Sequence, residues 1–103
     1  MRRDFTYIYD IIQGCLAAID RPTQHEIFNL GNNQPEELIT LIQILEKVLG
    51  KKAIIEFQHM QPGDVLETCA DLTKSQALLN YTPKTSLEKG IHAFATWYEA
   101  FFN

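Results

Sequence analysis

The 103-residue sequence lacks the features that mark several large classes of protein. Its two cysteines, Cys15 and Cys69, are far apart and have no Cys-x-x-Cys spacing. This excludes a disulfide framework and a cysteine zinc motif, and it predicts two small buried apolar residues. No run approaches the ~20 apolar residues of a membrane span. Two arginines near the start have no apolar segment behind them, which is not the pattern of a signal peptide.

An excess of positive charge is also absent. The formal net charge is −4 and the sequence pI is about 5.2, which argues against non-specific binding to nucleic acid or to an anionic membrane. Hydrophobic residues make up 46% of the chain and charged residues 21%, as in a globular domain. One domain over residues 1–103 with one modest core is therefore predicted, and a cytoplasmic location fits it.

The common catalytic and cofactor motifs are missing too. The glycines Gly31, Gly50, Gly63 and Gly90 are isolated, so no Gly-x-Gly-x-x-Gly loop is available for a dinucleotide. The three histidines are not at metal-ligand spacing, and no serine lies in a nucleophile elbow. The sequence accordingly predicts no catalytic residue, no metal site and no cofactor bound by this chain alone.

Apolar periodicity predicts a small α/β domain of short strands and about four helices, in the order β-α-β-α-β-α-α. Strands are predicted at 3–7, 26–31 and 53–57. Helices are predicted from Ile8 to a stop at Asp20–Thr23, from Asn32 to a stop at Gly50, from Asp71 or Thr73 to Leu79, and from Thr85 onward. In the last helix, Thr85 and Glu88 form a predicted capping box, Gly90 indicates close approach of a neighbouring backbone, and the aromatic residues are assigned to the core.

The stretch from His59 to Val65 holds the clearest local polar signal. Pro62 fixes its own φ and Gly63 tolerates positive φ, so the pair predicts a tight turn. The turn would present the Asp64 carboxylate beside the Gln61 amide, a pairing that suits the hydroxyls of a sugar or ribose. A turn whose Asp64 caps its own backbone accounts for the same residues, and the pattern leaves both readings open.

Several segments resemble the C-terminal, substrate-binding part of an extended short-chain dehydrogenase/reductase of the NAD-dependent epimerase/dehydratase family. They are Arg2–Asp10, Phe28–Asn33, Met60–Val65 with Ala70–Asp71, Leu78–Pro83, Leu87–Ile91 and Trp97–Tyr98. Within that family the chain is most similar to nucleotide-sugar epimerases and dehydratases, especially the UDP-glucuronate 4-epimerases. The resemblance covers essentially the whole chain, in order and at similar spacing.

The resemblance implies roles for five residues. Arg3 matches the arginine that binds the diphosphate of the sugar nucleotide, and a planar guanidinium can grip phosphate oxygens with two hydrogen bonds. Asp64 matches an acid that meets the uridine ribose, and Gln61 stands where some relatives carry a second arginine. Thr68 matches a position that can contact the nucleotide. Asn29 is a further candidate for substrate binding.

The resemblance also implies what the chain does not contain. The family's glycine-rich NAD loop and Tyr-x-x-x-Lys base would lie upstream of Met1, and neither Tyr7 nor Tyr98 has a lysine four residues later. The NAD-binding Rossmann domain is therefore expected to be absent. Relatives often carry paired acids where this chain has Tyr9-Asp10, and the effect of that departure stays open.

Two interpretations follow. In the first, the chain is the substrate-binding domain or a fragment of an NAD-dependent nucleotide-sugar epimerase or dehydratase, catalytically incomplete alone. In the second, it is a stand-alone, non-enzymatic nucleotide-sugar-binding or protein-interaction module. The expected partners are a UDP-sugar, bound weakly by the lone domain, and either the missing Rossmann domain or a second copy in a homodimer.

Overall fold

The computed structural model describes residues 1–21 and 26–102. Its elements are β1 (Arg2–Arg3), α1 (Ile8–Asp20), β2 (Glu36–Glu37), α2 (Leu38–Leu49), α3 (Thr73–Leu79) and α4 (Leu87–Phe102). β1 and β2 pair antiparallel, with Arg2 opposite Glu37 and Arg3 opposite Glu36. The predicted mixture of four helices and short strands is therefore confirmed. Among the described residues, no helix has both the length and the apolar character needed to cross a lipid bilayer.

The ends of the helices follow local backbone chemistry. α1 ends at Asp20, as predicted, and the N–H of Arg21 donates to the Ala18 carbonyl at 3.3 Å. The other two residues of that predicted stop, Pro22 and Thr23, lie outside the described residues. α2 ends at Gly50, whose left-handed φ of 67° lets its N–H reach the Glu46 carbonyl at 2.9 Å. The predicted glycine stop is confirmed, because glycine adopts this conformation without steric cost.

Two of the predicted helix starts needed correction. α2 does not begin near Asn32, because Glu36–Glu37 are extended and pair with β1 before the helix starts at Leu38. α4 has no capping box of Thr85 with Glu88. Instead, Ser86 Oγ accepts the N–H of Lys89 at 3.2 Å, and α4 starts at the next residue, Leu87.

The start of α3 matches its prediction. Asp71 Oδ1 accepts hydrogen bonds from the Thr73 N–H at 3.0 Å and from the Thr73 hydroxyl at 2.7 Å. These two bonds stabilise the carboxylate and lower the pKa of Asp71, mainly through the Thr73 hydroxyl. The N-cap position itself is Leu72, which has no side-chain cap, so Asp71 does not cap α3 but stabilises the turn that leads into it.

The strands predicted at 26–31 and 53–57 are wrong, and the strand predicted at 3–7 is reduced to β1, Arg2–Arg3. A strand requires a neighbouring backbone to satisfy its N–H and C=O groups. In the 26–31 segment, three alternate carbonyls accept from side chains instead: Ile27 from Lys74 Nζ at 2.9 Å, Asn29 from Ser75 Oγ at 2.5 Å and Gly31 from the Tyr81 hydroxyl at 2.7 Å. The 53–57 segment lies on the surface, where Ile54 is fully exposed and Phe57 is 87% exposed.

The buried core is small and centres on Leu72, Leu79 and Tyr81. Partly buried apolar residues surround it: Ala17, Ala18, Phe28, Leu30 and Ala70. Gly14 lets α1 approach this cluster, because a Cβ there would lie 2.6 Å from Leu30 Cδ2. The prediction that Cys15 and Cys69 are buried is wrong, since both are exposed.

The aromatic residues of α4 do not enter this core, and their assignment to it is wrong. Five side chains, which we call the aromatic face, are 47–71% exposed: Phe94, Trp97, Tyr98, Phe101 and Phe102. Their neighbouring ring centroids lie 4.9–6.4 Å apart. Helical periodicity identified the face correctly, but periodicity does not tell whether the covering surface belongs to the same chain. Gly90, in the same helix, approaches the Tyr7 side chain rather than a backbone, which corrects that prediction.

Candidate functional site

β1 places Arg3 next to Thr68. The segment around Glu67 runs parallel to β1, with a bridge between Arg2 and Glu67. The N–H of Thr68 donates to the Arg2 carbonyl at 3.2 Å, and the N–H of Asp4 donates to Thr68 Oγ1 at 3.0 Å. The structure therefore brings together two of the five candidate residues that lie 65 positions apart in the chain.

The two arginines of β1 differ in how their charges are used. The Arg2 guanidinium lies 3.8 Å from a Glu37 oxygen and 3.5 Å from a Glu67 oxygen, and it donates to the Pro35 carbonyl at 2.9 Å. Within residues 1–21 and 26–102, the Arg3 guanidinium has no ion pair, and its hydrogen bond goes to the Arg2 carbonyl at 2.8 Å. The charge of Arg2 is thus compensated inside the fold, whereas that of Arg3 can meet an external anion.

The Pro62-Gly63 turn is formed as predicted. Gly63 has a φ of 90°, and the N–H of Asp64 donates to the Gln61 carbonyl at 3.1 Å, which are features of a type II turn. Gln61 and Asp64 are both exposed. In the described part of the chain the Asp64 carboxylate caps no backbone group and forms no ion pair with Arg3. The turn is therefore closed by its backbone, and it leaves both polar side chains open to a ligand.

Asn29 lies apart from the other candidates. Its side-chain amide donates to the Asp71 carbonyl at 3.4 Å, and its own carbonyl accepts the Ser75 hydroxyl. These contacts hold Asn29 against the start of α3. The structure does not group Asn29 with β1 or with the turn.

Sequence reasoning missed Asp4. Its carboxylate accepts backbone hydrogen bonds from four residues, at 2.9–3.3 Å: Asn32, Asn33, Gln34 and Ala70. Asn33 has a φ of 53°, and this left-handed residue lets three successive N–H groups converge on one anion. The only signals in the sequence were an acid beside Arg3 and the Gly31-Asn32-Asn33 run, and neither indicates its distant partner.

Asp10 is a second acid that anchors distant parts of the chain. It is buried, and its Oδ2 accepts the N–H of Thr85 at 3.1 Å, joining α1 to the approach to α4. Tyr81 is buried too and donates its hydroxyl to the Gly31 carbonyl. Burial raises the pKa of Tyr81 above its ordinary value, and the negative charges of Asp10 and Asp4 raise it further.

Two grooves lie outside the candidate residues. An apolar groove of about 700 Å³ runs between Phe5–Ile8 and α4, and the aromatic face begins at its edge with Phe94 and Trp97. A more polar groove of about 410 Å³ lies between 32–34 and 82–86. None of the five candidate residues lines either groove. Within the described residues no cluster of three metal-ligating side chains occurs, and His25 lies outside them.

Comparison with known proteins gives whole-chain matches, although no protein-family profile matches. The chain is 51% identical over 98 residues to an uncharacterized protein of Methanocaldococcus jannaschii, covering 95% of this chain and 30% of that protein. It is 42% identical over 96 residues to a UDP-glucuronate 4-epimerase of Thermodesulfobacterium geofontis, covering 92% of this chain and 29% of the relative. The chain thus spans about three tenths of the length of the curated relatives it matches.

A solved structure extends the likeness to three dimensions. It is a crystal structure of UDP-glucuronic acid 4-epimerase from Bacillus cereus in complex with UDP-glucuronic acid and NAD. The TM-score is 0.88 at 35% sequence identity, over 96% of this chain and 32% of that one. A second structure, of the same enzyme with NAD, matches with a TM-score of 0.83 at 33% identity.

Proposed function

Because the chain resembles the C-terminal part of the NAD-dependent epimerase/dehydratase family, with UDP-glucuronate 4-epimerases among its relatives, we propose that it is a substrate-binding domain of a nucleotide-sugar epimerase. The observation that carries this proposal is the match of 96% of the chain to an enzyme solved with UDP-glucuronic acid. The proposed ligand is a UDP-sugar, bound by residues 1–103 as one domain. A cytoplasmic location accords with such a ligand.

The proposed site combines hydrogen-bond donors on β1 and on the segment beside it with polar side chains on the turn. Arg3 would grip the diphosphate, because its guanidinium is held on β1 and its charge is not compensated by a described residue. Thr68 lies beside it and supplies a hydroxyl. Asp64 and Gln61 would meet the ribose hydroxyls from the exposed turn. Asn29 would contribute only if the ligand reached the start of α3.

The chemistry of such an enzyme belongs to NAD, and this chain does not fit that cofactor. NAD supplies hydride transfer, and the protein must hold it against the sugar. A dinucleotide pyrophosphate normally sits on a glycine-rich turn at a helix N-terminus. In the described residues, the positive-φ glycines are Gly50, at a helix C-terminus, and Gly63, in the Pro-Gly turn. The NAD-binding domain is therefore proposed to lie outside these 103 residues, and this chain binds and orients substrate without catalysing its conversion.

The aromatic face indicates a protein partner. Exposed apolar patches of this kind commonly mark protein interfaces. We propose that either an NAD-binding domain or a second copy of the chain covers it. The same observation favours one form of the alternative function, a non-enzymatic module that interacts with a protein; binding of a nucleotide sugar by such a module is not supported by this face. Light scattering over a concentration series should show self-association of the isolated chain, and a monomer at high concentration would contradict the homodimer.

Ligand titration of the purified chain tests the proposed function. An open site encloses little of its ligand, so the expected dissociation constant for UDP-glucuronate is on the order of 1 mM by NMR chemical-shift titration. Arg3→Ala should weaken binding about 10- to 100-fold, because hydrogen bonds to charged groups contribute roughly 1.5–3 kcal/mol. Lys51→Ala, which removes an exposed cation beyond α2, is the control and should bind as the wild type does.

Three outcomes would contradict parts of this proposal. Equal affinities of the wild type and Arg3→Ala would remove the assignment of Arg3. An absence of saturable shifts with any uridine nucleotide would remove the binding function itself. Binding of NAD, or epimerisation of UDP-glucuronate by the 103-residue chain, would show that the chain is not limited to substrate binding.

A further inference from the structure

One carboxylate, that of Asp4, joins three separate segments of the chain beside the proposed nucleotide site. It accepts from the N–H of Ala70 at 2.9 Å and of Asn33 at 3.0 Å, and from those of Asn32 and Gln34 at 3.2 Å. The backbone N–H of the same residue donates to Thr68 Oγ1 at 3.0 Å. The end of β1, the loop before β2 and the segment before α3 therefore meet at one side chain.

Neighbouring residues are suited to hold this carboxylate. Gly31 carries no Cβ, and one built there would lie 2.8 Å from Asp4 Oδ2 and 2.6 Å from the Ala70 Cβ. Asn33 takes the left-handed conformation that turns successive N–H groups to one side. A hydrogen bond to a carboxylate is stronger than one between neutral groups, so four of them fix the position of Asp4.

The arrangement also determines what Arg3 and Thr68 can offer to a ligand. An acid next to an arginine is an obvious ion-pair partner, yet in the described residues Asp4 binds four backbone N–H groups and no guanidinium. The Thr68 hydroxyl oxygen accepts from the Asp4 N–H, and because the hydroxyl donates to no group among the described residues, its proton can be donated to a ligand. Arg3 and Thr68 lie at neighbouring positions of two paired segments, and two donors that meet there would fit an anionic group such as a phosphate.

We infer that Asp4 is a positioning residue for phosphate binding: its backbone-bound carboxylate keeps Arg3 and Thr68 in place as a pair of donors. The inference rests on the proposed function and adds a residue that touches no ligand. Asp4 would act through geometry and charge, because the four N–H groups compensate its negative charge where it would otherwise oppose the phosphate.

The test compares UDP with uridine, because the two ligands differ only in the diphosphate. Asp4→Asn keeps the size of the side chain but turns an NH₂ group toward backbone N–H donors, so some of the four hydrogen bonds to this side chain are lost. By NMR titration, the wild type should prefer UDP, and Asp4→Asn should reduce this preference about tenfold while uridine binding is unchanged. Asp20→Asn, an exposed acid at the end of α1, is the matched control and should keep the preference.

Hydrogen exchange supplies a readout independent of ligand. The amides of Asn32, Asn33, Gln34 and Ala70 should be protected in the wild type and lose protection in Asp4→Asn. If that variant does not fold, Asp4→Glu replaces it, because glutamate keeps the negative charge and moves the carboxylate away from the four N–H groups that hold it. The same loss of UDP preference is expected.

The outcomes separate this inference from the function on which it rests. A wild-type chain that binds neither UDP nor uridine refutes the proposed function, and the inference falls with it. A wild type that prefers UDP, together with a folded variant that keeps the preference, overturns the inference alone. Weakening of UDP and uridine by the same factor assigns Asp4 a purely structural role and also overturns it.

Discussion

Tyr81→Phe isolates one buried hydrogen bond of the core. The Tyr81 hydroxyl donates to the Gly31 carbonyl at 2.7 Å, and the residue is only 4% exposed. Phenylalanine keeps the ring against Leu72 and Leu79 and removes only the oxygen. The carbonyl of Gly31, itself a buried residue, then loses that donor.

The expected cost follows from that lost partner. Leaving a buried acceptor unsatisfied costs about 1–3 kcal/mol, and burying the less polar ring offsets a part of this. A net loss of about 1–2 kcal/mol in the free energy of unfolding is therefore expected. For a domain of this size each 1 kcal/mol lowers the melting temperature by about 4–8 °C, so the midpoint should fall by about 4–16 °C.

Thermal unfolding followed by circular dichroism measures this difference. Tyr9→Phe is the matched control, because Tyr9 is 60% exposed and its hydroxyl forms no hydrogen bond to the described residues. The control should lie within about 0.5 kcal/mol of the wild type. If Tyr81→Phe has the same melting temperature as Tyr9→Phe, the hydrogen bond to Gly31 does not contribute to stability.

Three further predictions concern packing, pH and the turn. Gly31→Ala should destabilise the fold by about 1–3 kcal/mol in urea unfolding, because the new Cβ would lie 2.6 Å from the Cβ of Ala70. Gly90→Ala is the contrasting variant: its nearest contact would be at 3.4 Å, and it should stabilise α4 by up to about 1 kcal/mol. The pKa of Tyr81 is raised in the folded state, so above about pH 10 the folded state binds more protons than the unfolded state. The contribution of Tyr81 to the free energy of unfolding should therefore be complete below that pH and decline as the pH rises further. Alkaline unfolding of Tyr81→Phe should lack this part of the decline. Asp64→Asn should weaken uridine nucleotides without changing the melting temperature, and a lower melting temperature with unchanged affinity would make Asp64 a structural turn residue.

The sequence predicted those parts of the fold that depend on near neighbours in the chain. The apolar spacing of α1, the stop at Gly50 and the Pro62-Gly63 turn each arise within a few residues, and each prediction was confirmed. The strands failed because a strand depends on a partner backbone that its own sequence does not specify. The 26–31 segment has a suitable pattern, but side chains from the later part of the chain take its alternate carbonyls.

The candidate site shows the same limit. Arg3 and Thr68 were proposed from resemblance to a family, and no local pattern relates two residues so far apart in the chain. Asp4 was missed because its partners lie 28 to 66 residues away. An acid that binds backbone N–H groups leaves no mark on the side chains of its partners, so composition and spacing could not indicate it.

The aromatic face also gives the chain a natural optical reporter. Trp97 is its only tryptophan, about half exposed and in contact range of Phe94 and Phe101. Fluorescence excited selectively in tryptophan therefore comes from a single position at the edge of the apolar groove. Any surface that covers α4 would remove water from that indole and shift its emission to shorter wavelength, without a label and without altering the sequence.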